Sequence, residues 1–177
     1  MFVLKKKYFL IIESIKDIDL RNINIFNKFS IIYRNENKIT NINKLMEFRR
    51  YCKTKRVDFY VSNDFGLASL LKADGLYVSA KNKNLRLAGL KNLNFKIIGS
   101  AHNLKEINLK VLQGCEYILF SRLFKTTYKF KKGFLGLIKF NLMSLIRKNN
   151  LVALGGIRRS NFNKLKIVNC ESVALLS

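Results

Sequence analysis

The chain has 177 residues, of which 49% are hydrophobic and 25% are charged, and this composition is typical of a globular protein with its own core. No apolar run approaches the ~20 residues of a membrane span, and three widely spaced cysteines argue against a zinc site or a disulfide framework. The net charge of +23 attracts anions, but the basic residues are scattered along the whole chain, which argues against a dedicated nucleic-acid surface. We therefore expect a single domain over residues 1–177 in a reducing, cytoplasmic setting.

Short apolar segments typical of buried strands alternate with segments of helical pattern along the chain. Strands are predicted at residues 8–13, 29–34, 57–61, 75–78, 95–98, 117–120, 151–154 and 172–176. Helices are predicted between them, at residues 15–26, 39–53, 65–71, 79–90, 104–112, 140–147 and 160–167. The lysines before the first strand resemble the start of a signal peptide, but the apolar run that follows is short and ends at Glu13, so we interpret it as a strand.

Eight strands that alternate with helices predict an α/β fold with parallel strands, closed into a compact (β/α)8 TIM barrel. Such barrels usually need ~200 residues or more, so the helices should be short. The sequence ends directly after the eighth strand, and we therefore expect the final helix of the barrel to be missing.

Polar residues follow several of the predicted strands, at the end of a parallel barrel where ligands bind. Arg34 is a candidate substrate anchor. Asn63 and Asp64 either cap the next helix or contact a substrate, with Asp64 the candidate metal ligand. Ser100 and His102 follow strand five; His102 is the only histidine of the chain and is either an acid/base group or a structural residue.

Two later loops have the composition of an anion site. Gly155 and Gly156 precede a predicted helix, and glycines before a helix let backbone N–H groups approach a phosphate closely. Thr126 and Lys129 lie in a strongly basic loop that either binds an anion or is simply solvated. Ser177, after the last strand, is a further candidate for contact with the substrate.

Together these segments resemble the thiamine-phosphate synthase/TenI family of barrels, over about the whole chain. The order and spacing of several segments carry the resemblance: 61–64, 73–78, 97–103, 115–120 followed by Thr126 and Lys129, 153–157 followed by Asn161, and 172–177. The glycine pair with Asn161 is the most specific of them.

The resemblance implies a chemistry. Thiamine-phosphate synthases join an aminopyrimidine diphosphate to a thiazole phosphate; diphosphate leaves with the help of Mg²⁺, and the thiazole nitrogen attacks the resulting pyrimidine cation. The matching residues here are Asp64 for the metal and Thr126 and Lys129 for the diphosphate, with Lys129 stabilising the developing charge. TenI-type relatives instead isomerise the thiazole phosphate by proton transfer, a role that would fall to His102.

The chain departs from the synthase pattern at several positions. The family's Arg-x-Lys reads Arg34-Asn35-Glu36, its second Mg²⁺-binding aspartate is replaced by Asn82, and its second loop threonine is replaced by Tyr128. Lys81, beside Asn82, could partly replace the charge of the metal. A synthase is therefore the first hypothesis, and a tautomerase, a non-catalytic phosphate-binding relative and a basic nucleic-acid module stay open. The expected partners are small phosphorylated heterocycles and no membrane, with homo-oligomerisation left open.

Overall fold

The computed structural model describes residues 5–23, 27–35, 41–126, 133–146 and 150–176, and within them eight parallel strands close into a barrel. The strands are β1 (Lys7–Ile12), β2 (Phe29–Tyr33), β3 (Asp58–Ser62), β4 (Gly75–Val78), β5 (Lys96–Ala101), β6 (Tyr117–Ser121), β7 (Asn150–Leu154) and β8 (Ser172–Leu176). Each strand pairs with the next one along the chain, and β8 pairs with β1 through Tyr8 opposite Val173. The predicted (β/α)8 barrel is confirmed.

Four α-helices in the described residues cover the outside of this barrel: α1 (Ile42–Thr54), α2 (Phe65–Leu70), α3 (Leu104–Leu112) and α4 (Gly136–Ile146). Helix α1 buries Leu45, Arg49 and Cys52, which lie on one face at helical spacing. The Arg49 guanidinium donates to Asp74 Oδ1 at 2.9 Å and joins α1 to the loop before β4. None of the described helices combines the length and the apolar character needed to cross a bilayer.

Three predicted helices are 3₁₀ helices instead, at Leu20–Asn22 after a first turn at Ile15–Asp17, at Leu85–Leu93 and at Arg159–Ile167. The reason is clearest near the N-terminus. Ser14 and Asp17 form a capping box around the first turn, and Asp19 accepts a hydrogen bond from the backbone of Arg21. Such side chain–backbone bonds compete with a continuous α-helix. Residues 24–26 of the predicted helix 15–26 lie outside the described residues.

The barrel interior is filled with bulky side chains that alternate along the strands with residues facing the helices. This inner cluster consists of Phe9, Ile11, Ile32, Tyr60, Tyr77, Ile98, Leu119, Val152, Leu154 and Ala174. Two further clusters fill the space between strands and helices. Because these side chains fill the interior, a ligand has no room inside the barrel, and in folds of this type it binds at the loops that follow the carboxyl ends of the strands.

Candidate active site

A cleft of about 1130 Å³ opens at the carboxyl ends of the strands. All eight strands or the loops after them contribute to its lining, as shown by Ile11, Arg34, Asn63, Lys81, Ser100, Arg122, Gly155 and Leu176. Seven predicted site residues line it together: Arg34, Asn63, Asp64, Ser100, His102, Thr126 and Gly155. Gly156 follows in the same loop, and Lys129 and Ser177 lie outside the described residues.

Arg34 lies directly after β2, and its backbone N–H donates to the carbonyl of Ile12 at 2.8 Å. Its Nη2 donates to Glu13 Oε1 at 3.1 Å, which holds one edge of the guanidinium against the loop after β1. The planar guanidinium suits phosphate recognition. Its position in the cleft is compatible with the predicted role as a substrate anchor.

Asn63 has a left-handed backbone, with φ of 54°, and its side chain joins two loops. Its Oδ1 accepts from the backbone N–H of Ser79 at 3.0 Å and from Asn82 Nδ2 at 3.3 Å. The amide of Asn63 thus ties the loop after β3 to the loop after β4. The side-chain oxygen of Asn63 therefore has a structural role, holding the two loops together, that the sequence pattern does not predict. This role is separate from any contact with substrate.

Asp64 is both the N-cap of α2 and a residue of the cleft. Its Oδ1 accepts from the backbone N–H of Leu67 at 2.9 Å. Asn82, at the position of the family's second carboxylate, donates to Asn63 and accepts from the backbone of Asn84 at 3.0 Å. No group of three or more potential metal-ligating side chains occurs within the described residues. Among the described residues that line the cleft, Asp64 is the one carboxylate, so it is the candidate protein ligand for a metal.

Tyr77 and Ser100 form part of the cleft floor, where β4 and β5 end. Both side chains are almost fully buried in the barrel. Burial raises the pKa of Tyr77, and a hydrogen bond with Ser100 opposes this effect only in part. The phenol therefore stays protonated, and the two hydroxyl groups provide a neutral, polar floor beneath the charged rim.

His102 lies at the rim, one residue beyond β5. Its Nδ1 is 2.8 Å from the hydroxyl oxygen of Ser121 at the end of β6, and its backbone N–H donates to Glu106 Oε2 at 2.7 Å. The contact with Ser121 orients the imidazole in the cleft, and the contact with Glu106 holds the backbone of His102 at the start of α3. Ser121 is not among the predicted site residues; its position directly after a predicted strand is a sequence signal that could have identified it.

Arg122 organises the loop after β6. Its Nη1 donates to Thr126 Oγ1 at 3.3 Å, and its Nη2 donates to the carbonyl of Gly133 at 2.7 Å. One guanidinium thus contacts both Thr126 and Gly133, the described residues on either side of the basic segment 127–132, which lies outside the described residues. Thr126 lines the cleft as predicted, and Arg122 adds a second arginine to the lining.

Gly155 and Gly156 are in the left-handed region, with φ of 97° and 69°. A Cβ at Gly156 would lie 2.5 Å from the carbonyl oxygen of Phe124 and 2.7 Å from that of Lys125. The glycine pair therefore lets the loop after β7 pass close to the loop after β6. Asn161 Nδ2 donates to the carbonyl of Gly156 at 2.7 Å and holds the turn from the other side.

A closed parallel barrel with a polar, cation-bearing cleft at its carboxyl end defines a TIM-barrel protein with the ligand site in the usual place for this fold. The sequence profile described as thiamine monophosphate synthase matches residues 27–177. The chain belongs to this thiamine-phosphate synthase/TenI family. The resemblance drawn from the loop segments is confirmed.

Similar proteins include the thiamine-phosphate synthases of Pelagibacter ubique and Prochlorococcus marinus. The first is 31% identical over 153 residues, covering 84% of this chain and 73% of the relative. The second is 34% identical over 134 residues, covering 74% of this chain and 38% of the relative, so the chain spans well under half of that protein. A solved thiamine phosphate pyrophosphorylase from Pyrococcus furiosus has the same fold, with a TM-score of 0.72 at 20% identity over 98% of this chain and 87% of that one.

Proposed function

We propose that this protein is a transferase of thiamine biosynthesis that joins an aminopyrimidine diphosphate to a thiazole phosphate and releases diphosphate. The observation that carries the proposal is the convergence of the predicted site residues on one cleft at the carboxyl end of the barrel. The cleft, of about 1130 Å³, is at least as large as the small-molecule pockets of roughly 300–1,000 Å³ found in other proteins, so it has room for two small substrates. The names of the relatives in the family support the same reaction.

In the proposed reaction, the bond between the pyrimidine methylene carbon and the diphosphate oxygen breaks, and a carbon–nitrogen bond to the thiazole forms. The rate depends on stabilising the negative charge that develops on the leaving diphosphate. Arg34, Lys81 and Arg122 bring positive charge to the cleft from three loops. Thr126 offers a hydroxyl donor beside Arg122, and the predicted role of Lys129 adds a further cation.

Mg²⁺ fits this site when the protein and the diphosphate of the substrate both supply its ligands. Mg²⁺ is commonly held by one or two carboxylates together with substrate phosphates. Asp64 is the candidate protein ligand, and the side chain of Asn82 is engaged by Asn63 and Asn84. When bound, the metal would neutralise charge on the diphosphate.

The proposal also covers location and partners. We propose a cytoplasmic setting, which the three free cysteines support, and no nucleic-acid partner.

The test is a product assay with both half-molecules of thiamine phosphate. We expect thiamine phosphate to form at millimolar Mg²⁺ and formation to stop when the metal is chelated with EDTA. Calorimetry should show Mg²⁺ binding only in the presence of the diphosphate substrate, because Asp64 alone is a weak site. A pure, folded protein that forms no thiamine phosphate at millimolar Mg²⁺ would contradict the proposal.

The contact between His102 and Ser121 favours a second candidate, the tautomerisation of a thiazole phosphate. An imidazole held by a hydroxyl group at 2.8 Å is suited to transfer a proton. If the protein is a tautomerase, His102→Asn should reduce isomerisation by about 10²-fold or more, and Ser121→Ala should cause a smaller loss through misorientation of the ring.

For the synthase we expect the opposite result. Joining the two substrates requires no proton transfer by His102, so His102→Asn should change the rate of thiamine-phosphate formation by less than about tenfold. Both reactions are measured on the same preparations, with Lys105→Met, a change on the exposed side of α3, as the control. Isomerisation at an unchanged rate in His102→Asn would eliminate this histidine as the proton-transfer group.

A further inference from the structure

Helix α3 carries a lysine that is fully buried. Lys110 has no exposed surface, and its Nζ lies 2.7 Å from the carbonyl oxygen of Ser79, 2.8 Å from that of Asn82 and 2.8 Å from Gln113 Oε1. An ammonium group has three N–H donors, and these three acceptors use all of them. A neutral amine has only two, so the geometry matches the charged form. Desolvation lowers the pKa of Lys110, which makes these three acceptors necessary to hold the charge.

Gln113, one helical turn further on, is equally buried and acts on the same loop. Its Nε2 donates to the carbonyl of Asn82 at 3.1 Å and to that of Asn84 at 3.0 Å. Lys110 of α3 and Gln113, which directly follows this helix, thus hold three backbone carbonyls of residues 79–84, which follow β4. We call this set of contacts the α3 clamp.

Gly99 on β5 leaves the space that the side chain of Lys110 occupies. A Cβ at Gly99 would lie 2.7 Å from Cδ of Lys110 and 2.8 Å from Sγ of Cys115. The lysine stem therefore packs directly on the strand backbone, and its head reaches across to the loop. An apolar residue at this position would pack the helix on the sheet without the cost of desolvating a charge. The specific contribution of Lys110 is to hold the carbonyl groups of the loop.

The clamped loop is part of the cleft. Ser79 and Lys81 line it, and the backbone N–H of Ser79 and the amide of Asn82 both donate to Asn63 Oδ1. Asn63 precedes Asp64, the one carboxylate among the described lining residues. Contacts therefore run without interruption from α3, outside the barrel, to the loop that presents Asp64.

We propose that Lys110 and Gln113 are positioning residues that fix the loop 79–84, so that Lys81 and Asn63 are held in place for the diphosphate end of the substrate. The identity of the substrate rests on the proposed function; the clamp itself rests on the contacts above. Lys110 and Gln113 do not line the cleft, and their effect passes through the loop. Of the two phosphorylated substrates, we expect the thiazole phosphate at the glycine pair of the loop after β7, whose backbone N–H groups suit a phosphate. Its binding should therefore be insensitive to the clamp.

The test compares Lys110→Met with Lys105→Met. Methionine keeps the unbranched stem on β5 but donates no hydrogen bond, and the control removes one positive charge from the exposed side of the same helix. In Lys110→Met we expect hydrogen exchange at the amides of residues 79–84 to become faster, with little change in the urea midpoint. The dissociation constant for inorganic diphosphate, measured by calorimetry, should rise on the order of tenfold, the effect of a small displacement of binding groups. The control should match the wild-type protein in both measurements.

Kinetic measurements distinguish a specific effect on the diphosphate site from a general loss of structure in the cleft. The KM for the aminopyrimidine diphosphate should rise about as much as the diphosphate dissociation constant, while the KM for the thiazole phosphate stays unchanged. Exchange and diphosphate binding need no turnover, so an inactive wild-type protein would contradict the proposed function and still leave the clamp testable. The positioning proposal would be overturned if Lys110→Met had the exchange rates and the diphosphate dissociation constant of the wild-type protein. It would also be overturned if the KM values for both substrates rose equally.

Gln113→Met is the second variant, because it removes both bonds to Asn82 and Asn84 and one acceptor of the ammonium. It should reproduce the faster exchange and the weaker diphosphate binding. If Lys110→Met does not fold, Gln113→Met decides the question by the same criteria. If neither folds, the two residues support the whole barrel and the proposal is wrong.

Discussion

Asp64→Asn should lower the rate of thiamine-phosphate formation by about 10²-fold or more and leave the free energy of unfolding within about 0.5 kcal/mol of the wild-type value. The two effects separate because Asp64 has two roles. Its Oδ1 caps α2 through the backbone N–H of Leu67, and asparagine caps a helix about as well as aspartate. Only the negative charge is lost, and this charge is the proposed protein contribution to the metal–diphosphate complex.

Asp19→Asn is the matched control for this experiment. Asp19 caps the 3₁₀ helix Leu20–Asn22 through the backbone N–H of Arg21, and its side chain is exposed. It undergoes the same chemical change without belonging to the cleft, so its activity should equal that of the wild-type protein. Activity of Asp64→Asn within twofold of wild type would show that no carboxylate is needed there, and would exclude the metal-assisted form of the proposed reaction.

Gly156→Ala should destabilise the protein by about 2–4 kcal/mol, the combined cost of overpacking and of a left-handed backbone in a residue with a Cβ. The new Cβ would lie 2.5 Å from the carbonyl oxygen of Phe124, and a backbone atom cannot move away as a flexible side chain can. The chain at Phe124 must therefore shift, and Thr126, two residues further on, shifts with it. We expect weaker binding of both substrates together with the loss of stability, measured by calorimetry and urea unfolding.

Substitutions at two other glycines distinguish the two causes of this loss of stability, overpacking and backbone strain. Gly133 has a φ of 83° but nothing within 4 Å of its Cβ position, so Gly133→Ala should cost only the backbone strain, about 1–2 kcal/mol. Gly89 has open space and no left-handed backbone, so Gly89→Ala should be neutral or slightly stabilising. Equal losses in Gly156→Ala and Gly133→Ala would mean that the close approach of the two loops contributes nothing.

Much of the architecture could be predicted from local pattern. Eight short apolar runs separated by helical segments led to the closed barrel, because buried parallel strands are continuously apolar and need a crossover between them. The polar residues after those runs led to the cleft for the same reason, since all parallel strands end on one face. Helix type was harder to predict: at residues 15–22, Ser14 and Asp19 bond to nearby backbone groups, and the segment forms 3₁₀ turns.

Side-chain partners could not be predicted in this way, because they depend on loops that the closed barrel brings together. The order of residues along the chain is enough to show that His102 follows β5, but the contact of its ring with Ser121, 19 residues away, exists only once the barrel has closed. The same holds for Lys110: lysines are usually exposed, but the packing of α3 on β5 buries this one against the loop after β4. The alternation of strands and helices depends on residues that are close together in the sequence, so it can be predicted from local pattern. A hydrogen bond across the cleft joins residues on different strands, and it can form only after those strands have paired in the correct register.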